Sequence, residues 1–277
     1  MSKNVAVIGA GGKMGYRVSA NLKNSPYDVK HVEVSEAGRE RLKELKITCV
    51  DADTALADAD FVILTIPDNA IEKVTHSLLE KFKKGATLIA LDAAAPFAGH
   101  LPDREDLTIF VAHPCHPPIF NDETDLEAKR DYFGGIKAKQ AIVCALLRGD
   151  EKNYAVAEDV AKHMYAPVMR SHRATVDQMA MLEPALSETV CATCLTVIRE
   201  ATDEAIKRGV PEEAARDFIL GHLNVELAIL FDQLPGVRMS DAANKAVDEA
   251  KKKIFAPDWR KVFDREEIAR NIQAITS

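Results

Sequence analysis

The chain has 277 residues, of which 47% are hydrophobic and 29% are charged, and its formal net charge at pH 7 is −7. A chain of this length and apolar content can bury a sizeable core, and we expect two domains. The acidic balance argues against a nucleic-acid partner, because no dense basic cluster exists beyond Lys251-Lys252-Lys253.

Short apolar runs alternate with amphipathic segments through the first half of the chain. The apolar runs lie at 4–9, 29–34, 47–50, 61–66, 86–91, 107–112, 141–147 and 167–170, and the helical stretches lie at 14–24, 36–45, 70–83 and 153–165. This alternation is typical of βαβ units. We therefore predict a Rossmann-type, doubly wound α/β sheet that forms a first domain at residues 1–174.

The first apolar run leads into a glycine-rich segment, VAVIGAGGKMG at 5–15. A turn without Cβ atoms lets the backbone approach a pyrophosphate, and the helix that follows offers unpaired N–H groups to the anion. The fourth glycine stands one place later than in the usual dinucleotide fingerprint, which lengthens the turn by one residue. A strand can also enter a helix through glycines without any ligand. The predicted cofactor-binding residues are Gly9, Gly11, Gly12, Lys13 and Met14.

An acidic residue, Glu33, stands at the end of the second predicted strand, 24 positions after Gly9. Its carboxylate can accept both ribose hydroxyls and would repel a 2′-phosphate, so the sequence favours NAD over NADP. The alternatives are a solvated strand end, or a phosphate recruited by Arg39 or Arg41.

A second cofactor contact is predicted in FVILTIPDNAI, residues 61–71. A buried strand ends there, and the proline forces an extended turn at the carboxyl edge of the sheet, where ligands bind. Ile66, Pro67 and Asp68 are the predicted contacts, although the same residues also suit a simple strand-to-helix turn.

The strand at 107–112 runs into a loop with two histidines and three prolines, HPCHPP at 113–118. Imidazole is the side chain best suited to transfer a proton near neutral pH or to hold a metal. We predict that His113 and His116 face the crevice where the nicotinamide lies. The prolines alone can also explain a rigid exit from the sheet, with the histidines on the surface.

Helical periodicity dominates from Thr175 onward. The first helical stretch is interrupted by Pro184 and ends before Gly209 and Pro211, a second begins at Pro211, a third is capped by Ser240, and a fourth covers about 264–275. We predict an all-α domain at 175–277 for substrate binding and dimerisation.

Two glutamates, Glu183 and Glu188, flank Pro184 in the first of these helices. Pro184 bends the chain, so the carboxylates can face a cleft. Together with a histidine they can bind a divalent ion, or one carboxylate can act as a base. The alternative is that both lie on an exposed helix face.

Other features indicate the compartment. The first predicted strand begins by about Asn4, which leaves no room for a signal peptide, and the apolar runs are too short to span a bilayer. Five cysteines, an odd number in a long chain, favour reduced thiols over a disulfide framework. We expect a cytoplasmic protein without a membrane partner.

The motifs GAGGKMG, HPCHPPIFND, EPALSET, GHLNVELA and APDW occur in this order along nearly the whole chain. In them the sequence resembles the D-apionate oxidoisomerase family of the 6-phosphogluconate dehydrogenase-like superfamily. The resemblance implies NAD-dependent oxidation of a branched sugar acid, coupled to a carbon shift that gives 3-oxo-isoapionate. It also implies a homodimer with interlocked helical domains.

The residues also fit the chemistry that this resemblance implies. A divalent metal held by His113 and Glu183 would polarise the oxygens of the substrate, and Glu188 or His116 would handle protons.

Two familiar activities of the superfamily are disfavoured by the sequence. No lysine occurs between Lys162 and Lys207, where hydroxyacid dehydrogenases and 6-phosphogluconate dehydrogenases carry a catalytic lysine, and EPALSE stands where pyrroline-carboxylate reductases have a GSGP-type entry. The remaining alternatives are a simple NAD(P)-dependent hydroxy-acid or prephenate-like dehydrogenase, and a regulatory protein that binds NAD without chemistry.

Overall fold

The computed structural model describes residues 3–276, so residues 1, 2 and 277 of the predicted domains lie outside the described part. The chain forms two compact units. The first covers the chain up to Pro184 and again from Ile268, and the second covers Ala185–Glu267.

The first unit is built on a seven-stranded sheet with the strand order β2-β1-β3-β4-β5-β6-β7. The strands are β1 (Asn4–Ile8), β2 (Asp28–Val32), β3 (Phe61–Leu64), β4 (Thr87–Ala90), β5 (Thr108–Pro114), β6 (Gln140–Arg148) and β7 (Val168–Arg173). Neighbouring strands are parallel except β5 and β6, which are antiparallel.

Twelve α-helices are described along the chain. They are α1 (Lys13–Leu22), α2 (Glu36–Glu44), α3 (Ala52–Leu56), α4 (Asp68–Ser77), α5 (Ala94–Phe97), α6 (Leu126–Arg130), α7 (Lys152–Met164), α8 (Val176–Ala180), α9 (Thr193–Lys207), α10 (Glu212–Leu230), α11 (Asp241–Ile254) and α12 (Arg265–Thr276). A π-helical segment, Met181–Ala192, lies between α8 and α9, and short 3₁₀ helices cover Leu79–Lys81 and Trp259–Phe263.

Both faces of the sheet are buried along β1, β3, β4 and β5, which explains why these strands read as continuous apolar runs. Along β1, Val5 and Val7 pack into one hydrophobic cluster, while Ala6 and Ile8 pack into a second cluster. Successive residues of a strand point to opposite faces, so β1 contributes to both clusters, as do β3, β4 and β5.

The predicted fold class is confirmed: a Rossmann-type sheet is followed by helices. The predicted strand at 47–50 is wrong. Only an isolated bridge joins Cys49 to His31, and α3 begins at Ala52. One bridge does not make a strand, so β2 is the edge strand of the sheet.

The division into compact units differs from the predicted boundary between 174 and 175. The first unit continues to Pro184, and most of α12 belongs to it. Ile268 and Ile272 on α12 are 2% and 1% exposed, which explains why this helix is part of the first unit. A helical pattern alone does not specify the unit against which the helix packs.

The second unit contains α9, α10 and α11, and these three helices have no buried residue. Large apolar side chains are exposed on them, among them Phe218 at 67% and Leu220 at 65%. The space between α9 and α10 forms an apolar groove of about 470 Å³.

Within the described residues, the helical run Val176–Lys207 is long and apolar enough to cross a membrane by length and composition alone. Core helices of soluble proteins satisfy the same criterion, so one such run is weak support for a membrane location.

Candidate active site

A cavity of about 420 Å³ opens in the first unit at the carboxyl ends of the parallel strands. Its lining comprises Gly12, Lys13, Met14, Leu64, Thr65, Ile66, Pro67, Asp68, Ile71, Leu91, Asp92, His113, Pro114, His116 and Glu183. This edge is where α/β sheets bind their ligands. The predicted cofactor residues 12–14 and 66–68 therefore lie in one cavity with both predicted histidines and Glu183.

The glycine loop between β1 and α1 approaches the neighbouring strand end so closely that side chains are excluded. Gly9 has φ +82°, and a Cβ on it would lie 2.6 Å from Ile66 Cγ2. A Cβ on Gly15 would lie 2.1 Å from the Gly9 carbonyl oxygen. Gly12 caps α1 without any side-chain hydrogen bond. A bare backbone loop at a helix N-terminus is what a dinucleotide pyrophosphate requires, so these residues fit NAD.

Glu33 is buried behind this loop, at 7% exposure, rather than solvated at a strand end. Its Oε2 accepts the Gly11 N–H at 2.8 Å, and its Oε1 accepts the Ser35 N–H at 2.8 Å. Burial raises the pKa of Glu33, but the N–H donors of Ser35 and Gly11 outweigh it and lower the pKa overall. Each carboxylate oxygen has a second lone pair and can accept a further hydrogen bond, so these two bonds do not exclude the ribose hydroxyls. The contact between Glu33 and the ribose stays a prediction. Arg39 Nε donates to the Glu33 carbonyl oxygen at 2.8 Å.

His113 lies in a cluster of hydrogen-bonding groups at the ends of β4 and β5. Its Nδ1 is 2.8 Å from the Leu91 carbonyl oxygen and 3.3 Å from Asp92 Oδ2. Its Nε2 is 3.5 Å from Glu183 Oε2. Asp92 also accepts the Ala94 N–H through Oδ1 at 2.7 Å. The imidazole therefore lies between two carboxylates.

The pKa values in this cluster move in the directions that keep opposite charges together. Burial lowers the pKa of His113, but the hydrogen bond to Asp92 and the charge of Glu183 outweigh it, and the pKa is raised overall. Burial raises the pKa of Asp92, but its interactions with His113 outweigh this, and the pKa is lowered overall. The proton that this raised pKa favours lies on Nε2 of His113, the nitrogen that faces Glu183.

The same cluster has the donor atoms of a metal site. One ligand atom each from Asp92, His113 and Glu183 lies within 4.8 Å of the others. A nitrogen and carboxylate oxygens suit divalent ions such as Zn²⁺ and Mn²⁺. Sequence reasoning missed Asp92. The only signal for it was an acid placed directly after the apolar run at 86–91.

His116 is held by a different set of contacts. Its φ is +60°, which is uncommon for a residue with a side chain, and its Nδ1 donates to the Phe133 carbonyl oxygen at 2.9 Å. The Arg17 guanidinium lies 4.1 Å from the centre of the Phe133 ring. The proton on Nδ1 leaves Nε2 as the atom of a neutral His116 that can accept a proton.

The two predicted glutamates fall in different units. Glu183 lies in the first unit and is one residue before Pro184 in the π-helical segment. Wide helical turns of this kind are frequent at functional sites. Glu188 belongs to the second unit, and its predicted catalytic role stays a prediction.

Comparison with known proteins agrees with this geometry. Residues 4–97 match the NAD binding domain of 6-phosphogluconate dehydrogenase, and residues 121–276 match the C-terminal domain of decarboxylating phosphogluconate dehydrogenase. A D-apionate oxidoisomerase of Rhizobium rhizogenes is 59% identical over 98% of this chain and 99% of its own length. A D-apionate oxidoisomerase of Cupriavidus necator is 58% identical, with all of both chains covered.

The chain belongs to the D-apionate oxidoisomerase family. Its first unit carries an NAD-binding domain, and it is an NAD-dependent oxidoreductase, as the glycine loop predicted. A solved structure of a Cupriavidus necator protein, described as a semialdehyde dehydrogenase NAD-binding protein in complex with calcium and NAD, covers 100% of both chains at 58% identity with a TM-score of 0.97. That protein shares the fold described above.

Proposed function

We propose that this protein oxidises D-apionate with NAD and rearranges the oxidised product to 3-oxo-isoapionate. The carrying observation is the placement of His113 between Asp92 and Glu183, in the cavity that also contains the glycine loop. Proton-handling groups and the hydride acceptor then meet at one edge of the sheet. The names of the relatives that match along the full chain support this substrate.

The proposed reaction has two balanced steps. In the first, the hydrogen on C2 leaves as hydride to NAD⁺ while the C2 hydroxyl loses its proton, which gives a 2-oxo acid and NADH. In the second, the neighbouring tertiary hydroxyl loses a proton, a carbon substituent migrates to C2 with its electron pair, and the C2 oxygen takes up a proton. The second step is an isomerisation and needs no further oxidant.

The residues of the cavity supply acid and base groups for both steps. Nε2 of His116 can exchange a proton, because its Nδ1 donates to a backbone carbonyl. Nε2 of His113 has its lone pair available for the same reason, and it acts either as a base or as a metal ligand, because one lone pair cannot hold a proton and a metal at once. Glu188, which lies in the second unit and not in the cavity lining, is the further residue that we propose to handle protons.

We further propose that His113 and Glu183 hold a divalent metal. Nε2 and a carboxylate oxygen 3.5 Å apart form a pair that a cation stabilises. Such an ion, when bound, supplies Lewis-acid polarisation of the substrate oxygens. The calcium in the Cupriavidus necator structure supports a cation in this fold.

The test is turnover of D-apionate with product identification. Purified protein is mixed with D-apionate and NAD⁺, NADH is followed by absorbance, and ¹³C NMR of labelled substrate identifies the product. We expect NADH and 3-oxo-isoapionate in equal amounts. NADH with an unrearranged 2-oxo acid would favour a simple dehydrogenase. A coenzyme-induced melting shift without NADH from any sugar acid would favour a non-catalytic NAD-binding protein.

A homodimer is the proposed assembly, with the second copy covering the apolar helices of the second unit. Exposed side chains such as Phe218 and Leu220, and the groove between α9 and α10, form an apolar surface that a monomer rarely leaves in water. Light scattering should show a dimer that Leu220→Glu weakens. The matched variant Leu147→Glu, at a partly exposed site on β6, should leave the dimer intact.

A cytoplasmic location also remains a proposal. It is supported by the match to the NAD binding domain of 6-phosphogluconate dehydrogenase and to relatives named D-apionate oxidoisomerase. Fractionation of cells that express the tagged protein should recover it without detergent.

A further inference from the structure

Asp92 contacts the imidazole of His113 on the side away from Glu183. Its side chain is 21% exposed, and its Oδ1 is fixed by the Ala94 N–H at 2.7 Å. The second oxygen, Oδ2, lies 3.3 Å from Nδ1 of His113. Asp92 thus has one oxygen for the backbone of its own turn and one for the imidazole.

Two acceptors share the same ring nitrogen. A carbonyl oxygen can only accept, so the 2.8 Å contact from Nδ1 to the Leu91 oxygen requires a hydrogen on Nδ1. The neutral ring then has a bare Nε2, the atom that faces Glu183 Oε2. Because the Leu91 carbonyl already selects this tautomer, the charge of Asp92 has a separate effect.

We propose that Asp92 is a positioning residue whose negative charge increases the affinity of His113 Nε2 for a cation, while the Leu91 carbonyl fixes the tautomer. A carboxylate behind the remote nitrogen of an imidazole orients the ring and makes its free nitrogen more basic. Asp92 acts through His113 and does not bind the substrate. This inference rests on the proposed function of His113, as metal ligand or as base.

Where a carboxylate alone holds an imidazole, that carboxylate both selects the tautomer and supplies the negative charge. In this site the Leu91 carbonyl selects the tautomer and Asp92 supplies the charge. In sites of the first kind, replacing Asp by Asn turns the imidazole to the wrong tautomer. Here Asp92→Asn removes the charge, keeps an oxygen for the Ala94 N–H, and leaves the Leu91 carbonyl in place. The variant should fold and retain the tautomer.

The experiment compares wild type with Asp92→Asn by three measurements on the full chain. The ¹⁵N NMR spectrum of the histidine rings, with His113→Gln used for assignment, should show Nδ1 of His113 protonated in both proteins and a changed Nε2 shift in the variant. Binding of Mn²⁺ alone, measured by calorimetry, should weaken about 10- to 100-fold. The kcat with D-apionate should fall by a similar factor, while KM for NAD stays unchanged.

The matched control is Asp60→Asn. Asp60 has a side chain of similar exposure, 22%, and accepts the Asn4 N–H, but it precedes β3 at the opposite edge of the sheet. This variant should behave as wild type in all three measurements. A similar loss in Asp60→Asn would mean that removing any half-buried carboxylate is harmful, and would overturn the specific role of Asp92.

Three other outcomes are decisive. An unchanged His113 spectrum with wild-type metal binding in Asp92→Asn would overturn the inference. Loss of all detectable Mn²⁺ binding would assign Asp92 as a direct ligand instead of a positioning residue. A changed Nε2 shift and weakened Mn²⁺ binding in a protein that does not turn over D-apionate would support the inference and reject the proposed function.

Discussion

The two compact units bury their apolar side chains to different extents. In the first unit, strands alternate their residues between two clusters, and Leu88 in β4 is 0% exposed. In the second unit, α9, α10 and α11 have no buried residue, and Leu220 is 65% exposed. A sheet covered on both faces completes its core within one chain. Three helices with exposed apolar faces need another surface, for which we propose a second copy.

The same difference explains where the chemistry lies. The cluster of Asp92, His113 and Glu183 belongs entirely to the first unit, where strand ends hold backbone carbonyls and side chains in fixed register. A rigid scaffold maintains the spacing that acid–base and metal chemistry need.

Removal of the central imidazole should have the largest effect. We expect His113→Ala and, separately, Glu183→Ala to lower kcat with D-apionate by about 10²- to 10⁴-fold, because proton transfer and cation binding are lost. Steady-state kinetics measures this. The matched control is His76→Ala: His76 Nδ1 also contacts a backbone carbonyl at 2.8 Å, but its side chain is exposed on α4. Undiminished turnover in His113→Ala and Glu183→Ala would place the chemistry elsewhere.

Replacing one leucine in each unit by alanine tests whether only the first unit has a closed core. Leu88→Ala should lower the free energy of unfolding by about 2 to 5 kcal/mol, since it leaves a cavity in a closed core. Leu220→Ala should change it by about 0.5 kcal/mol or less at concentrations where the protein is monomeric. Urea unfolding at low concentration measures both. Equal losses would mean that the second unit has a core of its own.

Acidification provides a smaller test of the interior of the first unit. Burial lowers the pKa of His31 to about 4 from the usual 6.5, and the side chain is 6% exposed. Between these values the unfolded chain binds a proton and the folded chain does not, so the free energy of unfolding decreases as the pH falls through this window. Wild type should lose about 2 to 3 kcal/mol more than His31→Leu between neutral pH and about pH 4.5.

Urea titrations of wild type and His31→Leu at both pH values measure this difference. Equal pH dependence in the two proteins would show that His31 is protonated in the folded chain. Nε2 of His31 has no hydrogen-bond partner among the described residues, so burial is the only cause of this shift that we identify.

The sequence predicted those parts of the site that depend on local pattern. His113 follows an apolar run and precedes a proline, so its place at a strand end could be read directly. Asp92 could not be paired with it, because the register of β4 and β5 brings together residues 21 positions apart. The strand at 47–50 was wrong because apolar content alone does not supply a pairing partner. The buried position of Glu33 depends on the close approach of Gly11, which the sequence does not encode locally.

The smallest expected change in stability comes from removing a serine helix cap, and each unit has one such cap with the same hydrogen-bond length. Ser35 Oγ accepts the Gly38 N–H of α2 at 3.1 Å, and Ser240 Oγ accepts the Ala243 N–H of α11 at 3.1 Å. Each serine-to-alanine change should cost about 1 kcal/mol of helix stability. Amide hydrogen exchange distinguishes the effects of the two substitutions, because it reports local opening of a helix as well as global unfolding.

The two losses should appear in different places. Leu42 on α2 is 0% exposed, so this helix opens with the core, and Ser35→Ala should speed exchange at β-strand amides that exchange only through global unfolding. Helix α11 has no buried residue, so Ser240→Ala should speed exchange only within Asp241–Ile254. If Ser240→Ala also accelerated exchange of the strand amides, the two units would unfold as one, and the contrast between a closed core and an open helical surface would not describe their stability.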